Sequence, residues 1–116
     1  MKVCQAIKIA KAQLGENAKY AEFIMLEFLG KDRAWLFLNA EFDINEKPYF
    51  KLISRFLSGE PYEYIFEKAS FYGLDLLMKK GVLIPRFDSE ILLELCLNEL
   101  SKGHYKSILE IGFGSG

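Results

Sequence analysis

The residues of this sequence that are best placed for ligand chemistry are three glycines near its end. Gly112, Gly114 and Gly116 follow residues 107–111, a short, almost wholly apolar run typical of a strand inside a parallel sheet. Glycines after such a strand let the backbone turn tightly and approach a ligand. The spacing is GxGxG, whereas a nicotinamide-binding GxGxxG would place its third glycine at residue 117. We interpret this turn as a cofactor loop; a purely structural glycine turn is the alternative.

No other group of residues indicates catalysis or metal binding. Cys4 and Cys96 lie far apart, and the only histidine, His104, is not spaced for a metal site. We expect both cysteines to be buried, free thiols in a reducing compartment. Acidic residues that lie near one another in the sequence are better interpreted as solvated charges than as acid–base pairs. These are Glu22 with Glu27, and Glu41 with Asp43.

Composition limits the class of protein. The chain has 116 residues, 51% of them hydrophobic, which is enough for one domain with a core. A formal net charge of −1 disfavours a nucleic-acid binder that relies on a basic surface. No apolar run reaches membrane-spanning length, and Lys8 and Lys11 interrupt any signal-peptide core. We therefore expect a cytoplasmic protein.

Apolar residues at helical spacing predict a bundle of short helices in the first half of the chain. Asn17, Asp32 and Asn45 are predicted to cap three of these helices, and Gly15 and Gly30 to end two of them. The three predicted core stripes are Val3, Ile7, Ala10 and Leu14; Ala21, Ile24, Met25, Phe28 and Leu29; and Tyr49, Leu52, Ile53, Phe56 and Leu57.

A different pattern follows the bundle. Pro61 suits the first turn of a short helix, and residues 69–78 alternate around Gly73, which predicts two strands joined by a bend. Asp88 is predicted to cap a helix over residues 90–102 whose apolar residues cover more than one face.

Several blocks of this second half resemble a known family. GEPYEYI, SFYGLDL and VLIPRFDSEILLE, in this order, resemble the linker of the release-factor glutamine methyltransferases, the HemK/PrmC family. ILEIGFGSG is similar to that family's first cofactor motif, the ExGxGxG pattern of class I S-adenosylmethionine methyltransferases. Phe87, Ser89 and Glu67 depart from residues that are usual in the family.

The resemblance implies a mainly α protein with three parts. Residues 1–67 would form a helical substrate-recognition bundle and residues 68–86 a β-hairpin linker. Residues 87–116 would supply the first helix and strand of an incomplete Rossmann-like methyltransferase domain. By the same resemblance, Glu110 and the three glycines would contact S-adenosylmethionine.

The implied activity is N5-methylation of a glutamine in class I peptide chain release factors. The family's catalytic Asn-Pro-Pro-Tyr loop does not occur in this sequence, so we assign no catalytic residue. We expect an inactive N-terminal fragment of a longer enzyme, truncated within its first cofactor motif, which does not bind the cofactor appreciably. Its strand at residues 107–111 would lack sheet partners, which favours contact with another copy of the chain or folding back over the helix at residues 90–102.

Three alternatives stay open at this point. A related methyltransferase that modifies a ribosomal-protein glutamine would share these blocks. The bundle could instead be a helical docking module that works without a catalytic half. Adenine methylation of nucleic acid uses a similar loop, but the near-neutral charge disfavours it.

Overall fold

The computed structural model describes residues 1–116, and its contacts divide the chain into two compact units, Met1–Ile65 and Phe66–Gly116. The first unit holds five helices: α1 (Val3–Leu14), α2 (Lys19–Leu29), α3 (Arg33–Leu38), α4 (Glu46–Leu57) and α5 (Tyr62–Ile65). The second holds strands β1 (Lys68–Phe71) and β2 (Leu74–Leu77) and helix α6 (Ser89–Lys102). The mainly α class is confirmed. No helix combines the length and the apolar character needed to cross a bilayer.

The helix ends in the first unit follow from local chemistry. The Asp32 carboxylate accepts a hydrogen bond from the Trp35 N–H at 2.8 Å, and the Asn45 side chain accepts one from the Lys47 N–H at 3.3 Å. Both predicted caps are confirmed. The cap predicted at Asn17 is wrong, because Asn17 lies in a 3₁₀ turn and α2 begins after Ala18 with no side-chain cap.

The core of the first unit lies where α1 and α4 pack against α2 and against each other. The stripe predicted for α1 is fully confirmed, whereas α2 buries only the first three residues of its stripe and α4 buries only Tyr49 and Ile53. Phe28, Leu29, Leu52 and Phe56 are half-buried, and Leu57 is 52% exposed. The buried residues of the three helices are Val3, Ala6, Ile7, Ala10, Leu14, Ala21, Ile24, Met25, Tyr49 and Ile53.

A tyrosine at the centre of this core satisfies its hydroxyl internally. The Tyr49 hydroxyl donates to the Ala21 carbonyl at 2.9 Å, so the ring is buried without an unpaired polar atom. Burial, followed by the negative charge of Glu22, raises the pKa of Tyr49 well above its usual range. This bond joins α4 to α2 between two apolar faces.

The start of α1 is tied to the loop before α4. Lys2 pairs with Asp43 in an isolated antiparallel bridge, and the Val3 and Cys4 N–H groups donate to the Phe42 and Ala40 carbonyls at 2.9 Å each. These bonds satisfy two of the N–H groups that a helix leaves unpaired at its start. Lys2, the residue before α1, provides no side-chain cap.

The second unit contains the predicted hairpin. β1 and β2 pair antiparallel, from Lys68 opposite Leu77 to Phe71 opposite Leu74. Tyr72 and Gly73 form the two-residue turn with φ angles of 50° and 75°. Positive φ at both positions is typical of a type I′ turn, whose twist matches that of the strands. The bend predicted around Gly73 is confirmed.

Three expectations are corrected, two of them for the second unit and one for the two cysteines. The helix after Asp88 forms, but the Asp88 side chain makes no capping hydrogen bond. Residues 107–111 do not form a strand, because β1 and β2 pair only with each other and no other segment offers ladder partners. Cys96 is exposed and Cys4 only half-buried, although both are free; α6 has no buried residue, so nothing covers Cys96.

Candidate functional site

The glycine loop that the sequence singles out is an open turn in the second unit. Gly112, Gly114 and Gly116 have φ angles of 70°, 59° and 87°, a region that favours glycine. The Gly116 N–H donates to the Phe113 carbonyl at 2.9 Å and closes the turn. The predicted glycines are therefore together in one short loop with special backbone geometry.

The surroundings of this loop are open. A side chain added at Gly112 or Gly116 would meet nothing within 4 Å, and one at Gly114 would touch only Val82, at 3.9 Å. The Glu110 carboxylate is exposed. A loop of accessible backbone with one nearby carboxylate fits the polar end of a small ligand, but it forms one wall and not an enclosure.

The blocks that carried the resemblance are held in place by two contacts that sequence patterns do not predict. The Arg55 guanidinium donates to both carboxylate oxygens of Glu60, Nε to Oε2 at 2.9 Å and Nη2 to Oε1 at 2.6 Å. This bidentate pair joins the end of α4 to the residue before Pro61. It spans a helix end, so the helical spacing rule for charge pairs does not reveal it.

The second contact supports the hairpin turn. The Tyr72 N–H donates to Glu90 Oε1 at 2.8 Å, so the first turn of α6 provides an acceptor for a strained residue of the turn. The SFYGLDL and DSEILLE blocks thus meet through a defined hydrogen bond. A separation of 18 residues hides this bond from any local pattern.

The carboxylates interpreted as solvated charges are engaged singly and not as acid–base pairs. Glu22 pairs with Lys11 at 2.5 Å, and Asp43 pairs with Lys2 at 2.9 Å. The hydrogen bond from Lys2 lowers the pKa of Asp43, and the bond to Asp43 raises the pKa of Lys2. No group of three or more His, Cys, Asp or Glu side chains is arranged to hold a metal ion.

Comparison with known proteins gives one consistent answer. The family model described as the PrmC N-terminal domain matches residues 5–66. Three similar relatives all carry the name release factor glutamine methyltransferase. They come from Clostridium botulinum (38% identical over 93% of this chain and 39% of the relative), Dictyoglomus turgidum (40%, over 83% and 34%) and Borreliella burgdorferi (33%, over 100% and 41%).

The matches cover a much larger share of this chain than of its relatives. The matches take in most or all of this chain, yet the chain spans only about two fifths of the length of these curated relatives. The family model covers the helices α1 to α5, which make up the first unit. The match of the family model over more than half of the chain, together with these relatives, shows that the chain belongs to the PrmC N-terminal domain family.

Proposed function

We propose that this chain is the N-terminal part of an S-adenosylmethionine-dependent N5-glutamine methyltransferase of the cytoplasm. Its substrates would be class I peptide chain release factors. The observation that carries the proposal is the match of 83–100% of the chain to relatives named release factor glutamine methyltransferase.

Within this proposal the two units have different tasks. The helical bundle, residues 1–67 in the proposed division, would dock on the release factor, and residues 68–86 would link it to the start of the methyltransferase domain at residues 87–116. The hairpin β1–β2 and its bond to Glu90 support a firm linker, because a tight turn tied to a helix has little freedom to flex. The unit boundary after Ile65 lies close to the proposed one.

The cofactor would meet the glycine loop. We propose that Gly112, Gly114 and Gly116 lie against S-adenosylmethionine and that Glu110 shapes the loop or contacts the methionine end. Their positive φ angles and open backbone support the assignment, since side chains at these positions would be strained. When bound, the cofactor supplies an electrophilic methyl group on its sulfonium.

The chain alone is proposed to be inactive. An amide nitrogen is a poor nucleophile because its lone pair is delocalised, so catalysis needs groups that orient it and accept its proton. We assign no residue of the chain to this task, and the surroundings of the glycine loop are open. Docking is the task that the folded bundle can carry out by itself.

A competition assay tests the proposal. In this assay, methylation of a class I release factor by the release factor glutamine methyltransferase of Clostridium botulinum is measured with increasing amounts of this 116-residue chain present. If the bundle docks on the release factor, the apparent KM for the release factor rises while kcat stays unchanged. Unchanged kinetics at a large excess of the chain would contradict the docking role.

A further inference from the structure

An open cleft lies between α1, α2 and α3 of the first unit. Its volume is about 460 Å³. Most of its lining is apolar: Val3, Ile7, Leu36, Phe37 and Ala40. A cleft of this size and character accommodates one or two apolar side chains of a partner.

The apolar surface continues out of the cleft along α3. The Phe37 side chain is 86% exposed and that of Leu38 is 79% exposed, and α3 has no buried residue. Trp35 and Leu36 on the same helix are half-buried. Large neighbouring apolar side chains that protrude beside a cleft are typical of a protein-binding surface.

The charges at the cleft are unequally matched. Glu22 lines it but is neutralised by Lys11, at 2.5 Å, and the Cys4 thiol donates to exposed Glu41 at 3.4 Å. Arg33 lines the cleft without an ion pair; its guanidinium lies over the Phe23 ring, 5.7 Å from the centroid. The cleft therefore presents a positioned cation with no carboxylate partner.

We propose that this α1–α3 cleft receives an apolar side chain flanked by a carboxylate on a protein partner. The apolar group fills the cleft against Phe37 and Leu36, and the carboxylate pairs with Arg33, whose planar guanidinium suits bidentate recognition. The inference rests on the proposed function, under which the partner is the class I release factor.

Calorimetric titration of a class I release factor with the 116-residue chain tests the cleft directly. Two cleft variants, Arg33→Glu and Phe37→Ser, change exposed side chains and leave the core intact. Each is expected to raise the Kd at least about tenfold, because removing an interface anchor costs that much or more. Arg33→Lys is expected to lose less affinity than Arg33→Glu because it keeps the positive charge, although it loses the bidentate geometry.

Matched controls lie on α4, away from the cleft. Lys51→Glu repeats the charge reversal, and Leu57→Ser repeats the loss of an exposed apolar side chain. Both are expected to bind within about twofold of the original chain, since exposed residues outside an interface contribute little. Circular dichroism of each variant checks that its helices are kept.

The outcomes separate the two proposals. Cleft variants that bind the release factor as tightly as the original chain would overturn the cleft assignment and leave docking intact. If the original chain does not bind the release factor, the docking role and the cleft assignment both fail. If sedimentation shows self-association that Phe37→Ser abolishes, a second copy occupies the cleft and the proposal is overturned.

Discussion

Helix α4 offers a test of how the bundle is held together, because two of its aliphatic residues have opposite environments. Ile53 is completely buried against α1 and α2, whereas Leu57, one turn later, is 52% exposed. Truncating each to alanine removes three carbon atoms. The loss of stability should therefore differ according to burial alone.

The expected magnitudes follow from the exposed fractions. At about 0.8 kcal/mol per buried methylene, Ile53→Ala loses about 2.4 kcal/mol of transfer free energy. The cavity that remains adds to this, and such variants typically lose about 2–5 kcal/mol in total. We expect about 3 kcal/mol for Ile53→Ala. Leu57→Ala loses half the contact and leaves no enclosed cavity, so about 1 kcal/mol is expected.

Urea unfolding followed by tryptophan fluorescence measures this difference. Trp35 is the only tryptophan and lies in α3, so its emission reports on the unit Met1–Ile65. At a common slope, the difference between the urea midpoints of variant and original chain, multiplied by that slope, gives the change in free energy of unfolding. Equal losses for the two variants, or a loss below about 1 kcal/mol for Ile53→Ala, would refute the packing described for α4.

Three further predictions concern other contacts. Burial raises the pKa of Tyr49 above the ordinary value of about 10, so its contribution to stability is complete below pH 10 and is lost as the pH rises toward the raised pKa. Tyr49→Phe removes the hydrogen bond and should lower the free energy of unfolding by about 1 kcal/mol at pH 7. Between about pH 10 and 11, the free energy of unfolding should fall less steeply for this variant than for the original chain, and parallel pH curves would contradict this. Glu90→Ala should speed amide hydrogen exchange at Tyr72, and an unchanged rate would show that the carboxylate does not protect this N–H. The chain should self-associate through its exposed apolar residues Ile108, Leu109 and Ile111, and less so when it is shortened to end near Gly103; sedimentation as a strict monomer at both lengths would exclude this.

Local patterns predicted the features that local chemistry controls. The 3.6-residue period marked Tyr49 and Ile53 as core, and both are fully buried. The alternation around Gly73 predicted the hairpin, because a tight turn needs positive φ where glycine adopts it without strain. Asp32 and Asn45 were identifiable as caps because each precedes an apolar helical pattern.

The features that sequence patterns did not predict depend on what surrounds a segment in the fold. Residues 107–111 have the composition of a buried strand, but a strand forms only where another strand supplies hydrogen bonds. Cys96 was predicted to be buried because its helix is apolar on more than one face. No residue of this helix is buried, so Cys96 is exposed. The α1–α3 cleft arises where three helices meet, so no single stretch of sequence indicates it.

The cofactor loop lies between these cases. Its glycines were recognisable from their spacing, and their positive φ angles agree with a loop that excludes side chains. Their role in binding S-adenosylmethionine remains a prediction, with Glu110 and the same three glycines as its residues. Because the loop has only one wall, we expect the chain to show no micromolar affinity for the cofactor in calorimetry.

The central claim is that the bundle Met1–Ile65 docks on a class I release factor, and an NMR titration tests it most directly. The ¹⁵N-labelled chain is titrated with the release factor and, in a parallel sample, with a ribosomal protein that is methylated on glutamine. We predict saturable chemical-shift changes in the bundle with the release factor and none with the ribosomal protein. The claim would be contradicted if the bundle resonances stay unperturbed with the release factor at several times the concentration of the chain. It would also be contradicted if they change only with the ribosomal protein.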